Sequence, residues 1–320
     1  VLLAFVACGG KKSAGPLAYV TNEREGTITV IDTKTDQVVD LIKVGARPRG
    51  IRVSPDGHRV YVALSTPSGK EYWEADNKIA AIDTESGKVV ALYDVGSDPE
   101  QLAVSHDGAL LYASNENAGT ASVTDVKTGR LLSTLTVGIE PEGVTISPNG
   151  RWVYVTAETS STVSVIDTQT NQLVATFLVG ARPRDTAFSA DSSRAYVTAE
   201  VGVNLSVIDT ATHRVIKTVE LPRGDGVKPM GVVVSQDGRK VYVANGRIGT
   251  VSVIDAFTYE IINTIPVGRR VWGLAMTADG RKVYTANGLS NDISVIDTSL
   301  DKVMTTIKVG DGPWGIAIGH

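Results

Sequence analysis

The side chains able to do chemistry in this chain are four histidines, one cysteine, and carboxylates, arginines and tryptophans that recur at a fixed interval. Catalysis would require a nucleophile with its base, a metal site or a cofactor ligand. His58 and His106 sit in turns next to Asp or Gly, His213 sits in a Thr-containing turn, and His320 ends the sequence. No cysteine cluster, phosphate-binding glycine loop or c-type haem motif accompanies them. The expectation is therefore no catalytic residue, no metal ligand and no cofactor. What remains is binding chemistry. Arg47, Arg49, Arg182, Arg184, Lys228 and Arg270 supply cations, while Trp272 and Trp314 supply aromatic platforms. That combination suits anionic or planar ligands and partner hot spots.

A repeat positions these residues. Strands closing in Val-Ile-Asp or a close variant end at Asp32, Asp83, Asp125, Asp167, Asp209, Asp255 and Asp297, at steps of 51, 42, 42, 42, 46 and 42 residues. Each unit holds four short runs, for example GVTISPNG, RWVYVTA, STVSVIDTQTN and QLVATFLVG. Four strands in about 40 to 45 residues make one propeller blade. The runs are rich in Val, Ile, Thr and Tyr, are bounded by Pro-Asp-Gly, Pro-Asn-Gly or Asp-Gly turns, and show no helical periodicity. The seven Asp residues are expected to be structural, each carboxylate bonding backbone N–H groups of its own turn. The first copy lacks an innermost strand, and PWGIAIGH, after the last copy, matches the inner strands RPRGIRVSPD and EPEGVTISPN. The fold expected is all-β: a seven-bladed β-propeller over residues 17–320, four antiparallel strands per blade, with the C-terminal inner strand completing the N-terminal blade.

Strand direction sorts the side chains onto two faces. The Asp-Gly and Asp-Thr-x-Thr turns share one end with all four histidines, which argues against His-based acid–base chemistry at the channel mouth. Loops feeding the inner strands ring that mouth and present, in order, Arg47 and Arg49, Asp98 and Glu100, Glu140 and Glu142, Arg182 and Arg184, Lys228 and Met230, Arg270 and Trp272, and Gly312 and Trp314. Either the cations and acids neutralise each other across neighbouring blades, or the basic arc binds a partner. Two insertions map to the same face. Tyr61 to Asp83 is 22 residues where Tyr19 to Asp32 is 13, which places Tyr72 and Trp73 in a candidate contact loop, STPSGKEYWEADN. The second insertion lies in LPRGDGVKP. Glu23, Glu116, Glu158 and Glu200 add acidic character at the ends of four second strands, with no evident ligand spacing for a cation. One inner-strand position is occupied by Ala103, Thr145, Ala187, Val233, Ala275 and Ala317, but in the first full copy by Arg52, which is expected to point into the channel.

The pieces AYVTN at Ala18 to Asn22, VYVAN at Val241 to Asn245, TVSVIDT at Thr162 to Thr168 and SPDG at Ser54 to Gly57 resemble the YVTN-type bacterial β-propellers. The resemblance runs from Leu17 to His320 and is strongest to the subfamily associated with catabolism dependent on pyrroloquinoline quinone. It implies an exported protein that is accessory to a periplasmic quinoprotein dehydrogenase or c-type cytochrome. The recurring residues are those of packing and turns, so the motif specifies the fold far better than the function.

Composition and the N-terminal segment narrow the setting. A net charge of −4 argues against a nucleic-acid binder. Residues 1–16 are read as a signal remnant and linker, in which an apolar run followed by Cys8 resembles a bacterial lipobox and predicts lipidation at Cys8 in the periplasm or at the cell surface. A lone cysteine makes no intrachain disulfide. The function expected is a non-catalytic binding or scaffold module with a protein partner. Two alternatives stand beside it: an envelope scaffold that recognises polysaccharide or coats an assembly, and a metal-assisted lactone hydrolase.

Overall fold

The computed structural model describes residues 15–65, 77–222, 224 and 226–319. Among them the chain forms seven four-stranded antiparallel sheets, and the one helical element is the 3-10 turn Gly246–Ile248. Cys8, Tyr72, Trp73 and His320 lie outside the described residues. Each inner strand packs against the next in a closed cycle. Numbering blades from the one containing Leu17–Asn22, blade 1 joins Pro313–Ile318 to Leu17–Asn22, Thr27–Asp32 and Gln37–Lys43. The inner strands of blades 2 to 7 are Pro48–Val53, Pro99–Val104, Pro141–Ile146, Pro183–Phe188, Pro229–Val234 and Val271–Met276. The expected closure is present, with Ala18, Tyr19 and Val20 pairing with Ile318, Ala317 and Ile316.

The core lies between blades. Second and third strands are buried on both faces, as in Val153, Tyr154 and Val155 beside Val163, Val165 and Ile166, so they read as near-continuous apolar runs. Outer strands alternate or face solvent. The seven Asp residues are turn formers as expected. Asp32 Oδ1 accepts from the N–H groups of Lys34 and Thr35, and Asp255 Oδ1 from Phe257 and Thr258, with equivalent bonds at the other five.

A second use of the same turns ties neighbouring blades together. The turn residue with positive φ is Asp36, Gly87, Gly129, Asn171, His213, Tyr259 or Asp301. Where it is Asp, Asn or His, a tyrosine of the preceding blade reaches its side chain. Tyr112 Oη donates to Asn171 Oδ1 at 2.8 Å, Tyr242 Oη to Asp301 Oδ1 at 2.7 Å, and Tyr284 Oη to Asp36. Tyr154 Oη pairs with His213 Nδ1 at 2.8 Å, and the His213 ring meets Trp152 edge-on at 4.8 Å. His213 is thus a latch between blades. Burial pushes its pKa below the usual imidazole value, which suits a neutral ring in a packing role. Tyr19, Tyr61 and Tyr196 meet Gly87, Gly129 and Tyr259 at the equivalent place and make no such bond.

Tyr242→Phe is expected to cost about 1–2 kcal/mol, because Asp301 loses a donor inside the blade interface. Tyr196→Phe should be within about 0.5 kcal/mol of the parent. Denaturant unfolding of the two variants checks the latch.

Candidate functional site

Every inner strand carries a bulge just after its first residue, so that pairing with the second strand resumes at the fourth position. The second residue of each strand is Arg49, Glu100, Glu142, Arg184, Met230, Trp272 or Trp314; the last five line a gap of about 30 Å³ at the mouth, and Arg49 flanks it over the Trp314 ring. Hydroxyls of the preceding blade fix these positions. Thr21 Oγ1 donates to the carbonyl of Arg49, Ser114 Oγ to Glu142, Thr156 Oγ1 to Arg184 and Thr198 Oγ1 to Met230. The third residue is glycine in five blades because the neighbouring strand passes there: a Cβ at Gly231 would lie 2.7 Å from the Trp272 carbonyl oxygen, and one at Gly273 2.8 Å from that of Trp314.

The mouth arginines are mostly neutralised from within. Arg47 and Arg49 share Glu23 at 3.2 and 3.0 Å; Arg47 also pairs with Asp98 and Arg49 with the buried Glu100. Arg184 pairs with Glu142 at 2.7 Å and with Glu158, and Arg182 with Glu158 and Glu200. Of the two sequence-based alternatives, cross-blade neutralisation therefore describes Arg47, Arg49, Arg182 and Arg184, and these four do not form a free basic arc. Trp314 is 5% exposed, so it is a floor for the mouth and offers no open platform. It lies 6.2 Å from Trp272, with Arg49 over its ring at 5.4 Å.

Arg270 differs from the other mouth arginines. It stacks on Trp272 at 4.3 Å, and among the described residues no carboxylate lies within ion-pair distance of it. Burial, then the like charge of Arg247, lowers its pKa from the usual guanidinium value. Lys228 and the exposed Arg247 stand on the adjoining blade, also without an ion-pair partner among the described residues. Most of the longer insertion lies outside the described residues, and its described flanks, Ser65 and Asn77, stand at this face. Ser65 Oγ donates to the Pro99 carbonyl, and Asn77 Oδ1 accepts from the Asp98 N–H.

The acids also gather where the sequence showed no ligand spacing. Oxygens of Asp98, Glu100 and Glu116 lie within 4.8 Å of one another, and Glu116 is the one carboxylate of the four second-strand ends not taken by an arginine of the mouth. Glu100 and Glu142 are fully enclosed, and burial pushes both carboxyls up to about 7 in spite of Arg49 and Arg184. Burial raises Glu116 as well. Arg49 keeps its proton firmly: burial opposes its charge, but Glu100, Glu23 and Glu142 outweigh that.

Deeper in the channel lies a cavity of about 420 Å³ lined by Arg52, Gln101, Thr145 and Asp185 and by apolar residues of blades 6, 7 and 1. Arg52 points into the channel, as its departure from the repeat predicted. Gln101 and Asp185 stand where five blades have glycine, a signal available in the sequence but not used there.

A closed ring of seven four-stranded blades around a plugged, charged mouth defines a seven-bladed β-propeller. Within that class, the choice-of-anchor I domain model matches residues 5–183, more than half of the chain, and the protein belongs to that family. The cytochrome D1 heme domain model matches residues 190–311. The described residues do not fit a haem at the mouth: His58, His106 and His213 lie on the turn-bearing face, and the gap beside Met230 has room for about one or two waters. No curated protein matches the sequence. Among solved structures, hydrazine synthase from Kuenenia stuttgartiensis superposes with a TM-score of 0.77 at 20% identity, over 94% of this chain and 100% of that one. A protein of unknown function from Desulfotomaculum acetoxidans gives 0.79 at 21%, over 95% and 99%. A proposed 6-phosphogluconolactonase from Bacteroides fragilis gives 0.78 at 18%, over 98% and 100%. At these identities the likeness establishes the fold alone.

The raised carboxyls make stability depend on pH. Folded Glu100 and Glu142 hold their protons up to about 7, whereas in the unfolded chain they release them near 4.5. The folded state binds more protons in between, so stability falls as pH rises from about 4.5 to 7 and then levels off. Thermal melts between pH 5 and 8 should show that fall. Glu116→Gln should flatten it and raise Tm at pH 8 by roughly 1–3 °C.

Proposed function

We propose that the protein is a non-catalytic binding module, exported and tethered through Cys8, that docks an acidic partner surface against Lys228, Arg247 and Arg270. The observation that carries this reading is the guanidinium of Arg270, held on Trp272 with no carboxylate partner among the described residues. The other arginines of the mouth have internal counterions, which leaves this arc as the cationic surface open to a partner. An acidic group arriving there would supply the counterion that the fold withholds, in a place already partly desolvated. The partner class is a periplasmic quinoprotein dehydrogenase or c-type cytochrome. Its support is the subfamily resemblance, together with the match of a cytochrome haem domain to the segment that holds Lys228, Arg247, Arg270 and Trp272. The lipobox-like pattern at Cys8 supports an envelope location, and a family described by its choice of anchor is in keeping with it.

A second reading, metal-assisted lactone hydrolysis, is favoured by the Asp98, Glu100 and Glu116 trio and by the fold shared with the proposed lactonase. Its signature would be calcium-dependent lactone turnover lost in Glu116→Gln. Recognition of polysaccharide has less support, since Trp314 is buried and Trp272 already carries Arg270.

Full-length protein captured from its native membranes should bring down one dehydrogenase or cytochrome, with an affinity that weakens as salt rises. Lys228→Glu combined with Arg270→Glu, at unchanged Tm, should lower that affinity at least tenfold, about 1.4 kcal/mol. Equal recovery by parent and variant would remove this arc as the docking site.

A further inference from the structure

The channel below the mouth departs from the repeat at four positions, and all four departures meet in one cavity. On blades 2 to 5 the lining is Arg52, Gln101, Thr145 and Asp185; on blades 6, 7 and 1 the corresponding lining is glycine and Val233 or Ala317. The cavity therefore has one polar wall and one apolar wall. Its volume of about 420 Å³ falls in the range of small-ligand sites, roughly 300–1,000 Å³.

The polar wall is incompletely satisfied. Asp185 accepts from the N–H groups of Thr186 at 2.9 Å and Val232 at 3.2 Å, and Arg52 Nη1 donates to its neighbour's carbonyl, that of Ile51, at 2.8 Å. The two charged groups sense each other through the channel but are not within ion-pair distance. Burial pushes Arg52 down and Asp185 up from their ordinary values, so each is short of a counterion. Gln101 Oε1 and Thr145 Oγ1 are shut off from solvent and have no hydrogen-bond partner. They leave the packing behind the polar wall short of donors, while Arg52 and Asp185 are the charged groups that face the cavity. Above, Trp272, Trp314 and Met230 close the channel. Below, Val53, Phe188, Val234, Met276 and Ile318 form an apolar collar that opens on the turn-bearing face.

We infer that this cavity is a binding site for a small zwitterion with an apolar side chain, an aliphatic amino acid being its simplest occupant. The carboxylate of such a ligand pairs with the free guanidinium edge of Arg52. Its ammonium pairs with Asp185. The side chain lies against Val233 and Ala317. A plain anion leaves Asp185 uncompensated, and a plain cation leaves Arg52 so; the two fixed charges, separated across the lumen, select a ligand carrying both signs. The site faces away from the Arg270 arc and does not depend on what docks there.

Calorimetry and thermal melts of the full chain with three related probes test this directly. L-leucine should bind and raise Tm, while 4-methylpentanoate, which lacks the ammonium, and 3-methylbutylamine, which lacks the carboxylate, should bind at least tenfold more weakly. Asp185→Asn should reduce leucine affinity by a similar factor and narrow its margin over 4-methylpentanoate. If that variant does not fold, the comparison of the three probes on the parent protein decides by itself. No response to leucine at 10 mM on the order of a weak site, or equal binding of the two single-charge analogues, would show that the cavity holds only water and overturn the assignment.

Discussion

Everything in this molecule depends on how closely seven inner strands approach one another around a single axis. At Gly50, Gly143, Gly231, Gly273 and Gly315 the backbone of the next strand occupies the space a side chain would need. That approach fixes the bulge, and the bulge aims the second residue of each strand at the mouth. The hydroxyls of Thr21, Ser114, Thr156 and Thr198 then hold the carbonyls of those residues from the blade before. The chemistry of the mouth is therefore set by residues whose backbone has almost no freedom, which is the condition for holding charges apart or together at chosen distances.

The ring uses that rigidity to separate charge into three zones. Two arginine–carboxylate networks, one around Arg47 and Arg49 and one around Arg182 and Arg184, cancel internally. At the edge of the first network, its carboxylates Asp98 and Glu100 also face Glu116, which no arginine of the mouth pairs with, so acid is locally in excess there. Across the mouth, Arg270 and Lys228 have no carboxylate partner among the described residues. A protein with a net charge of only −4 thus carries two local imbalances of opposite sign on one face. Local fields of this kind act on binding and protonation, and net charge alone would not reveal them.

Much of this was legible in the sequence, and the repeat is why. A constant period lets the chain serve as its own alignment, so Arg52 stood out as a departure, the closing strand at Pro313–Ile318 could be matched to its six relatives, and the turn role of Asp32 or Asp255 followed from local chemistry. Contacts between blades were not legible. Arg49 meets Glu23 from the blade before it and Glu100 from the blade after it, and whether Arg184 is a docking cation or an internal counterion depends on those distances and on no local pattern. Trp314 reads as a platform on its type and proves to be a floor. His213 reads as an incidental turn residue and proves to join two blades through Tyr154.

The first blade draws its inner strand from Pro313–Ile318, nearly three hundred residues after the strand it pairs with. During synthesis six complete sheets and three strands of the seventh exist before the ring can shut. For that interval Leu17–Asn22 presents an unpaired edge, and Val271–Met276 lacks a neighbour. Local hairpins within each blade form quickly, whereas this last pairing must wait for the most distant contact in the chain. An open arc with two sticky ends is also a template for adding another copy of itself. The segment that closes the ring within one chain is thus also the one whose late arrival leaves the open arc exposed to pairing with another copy.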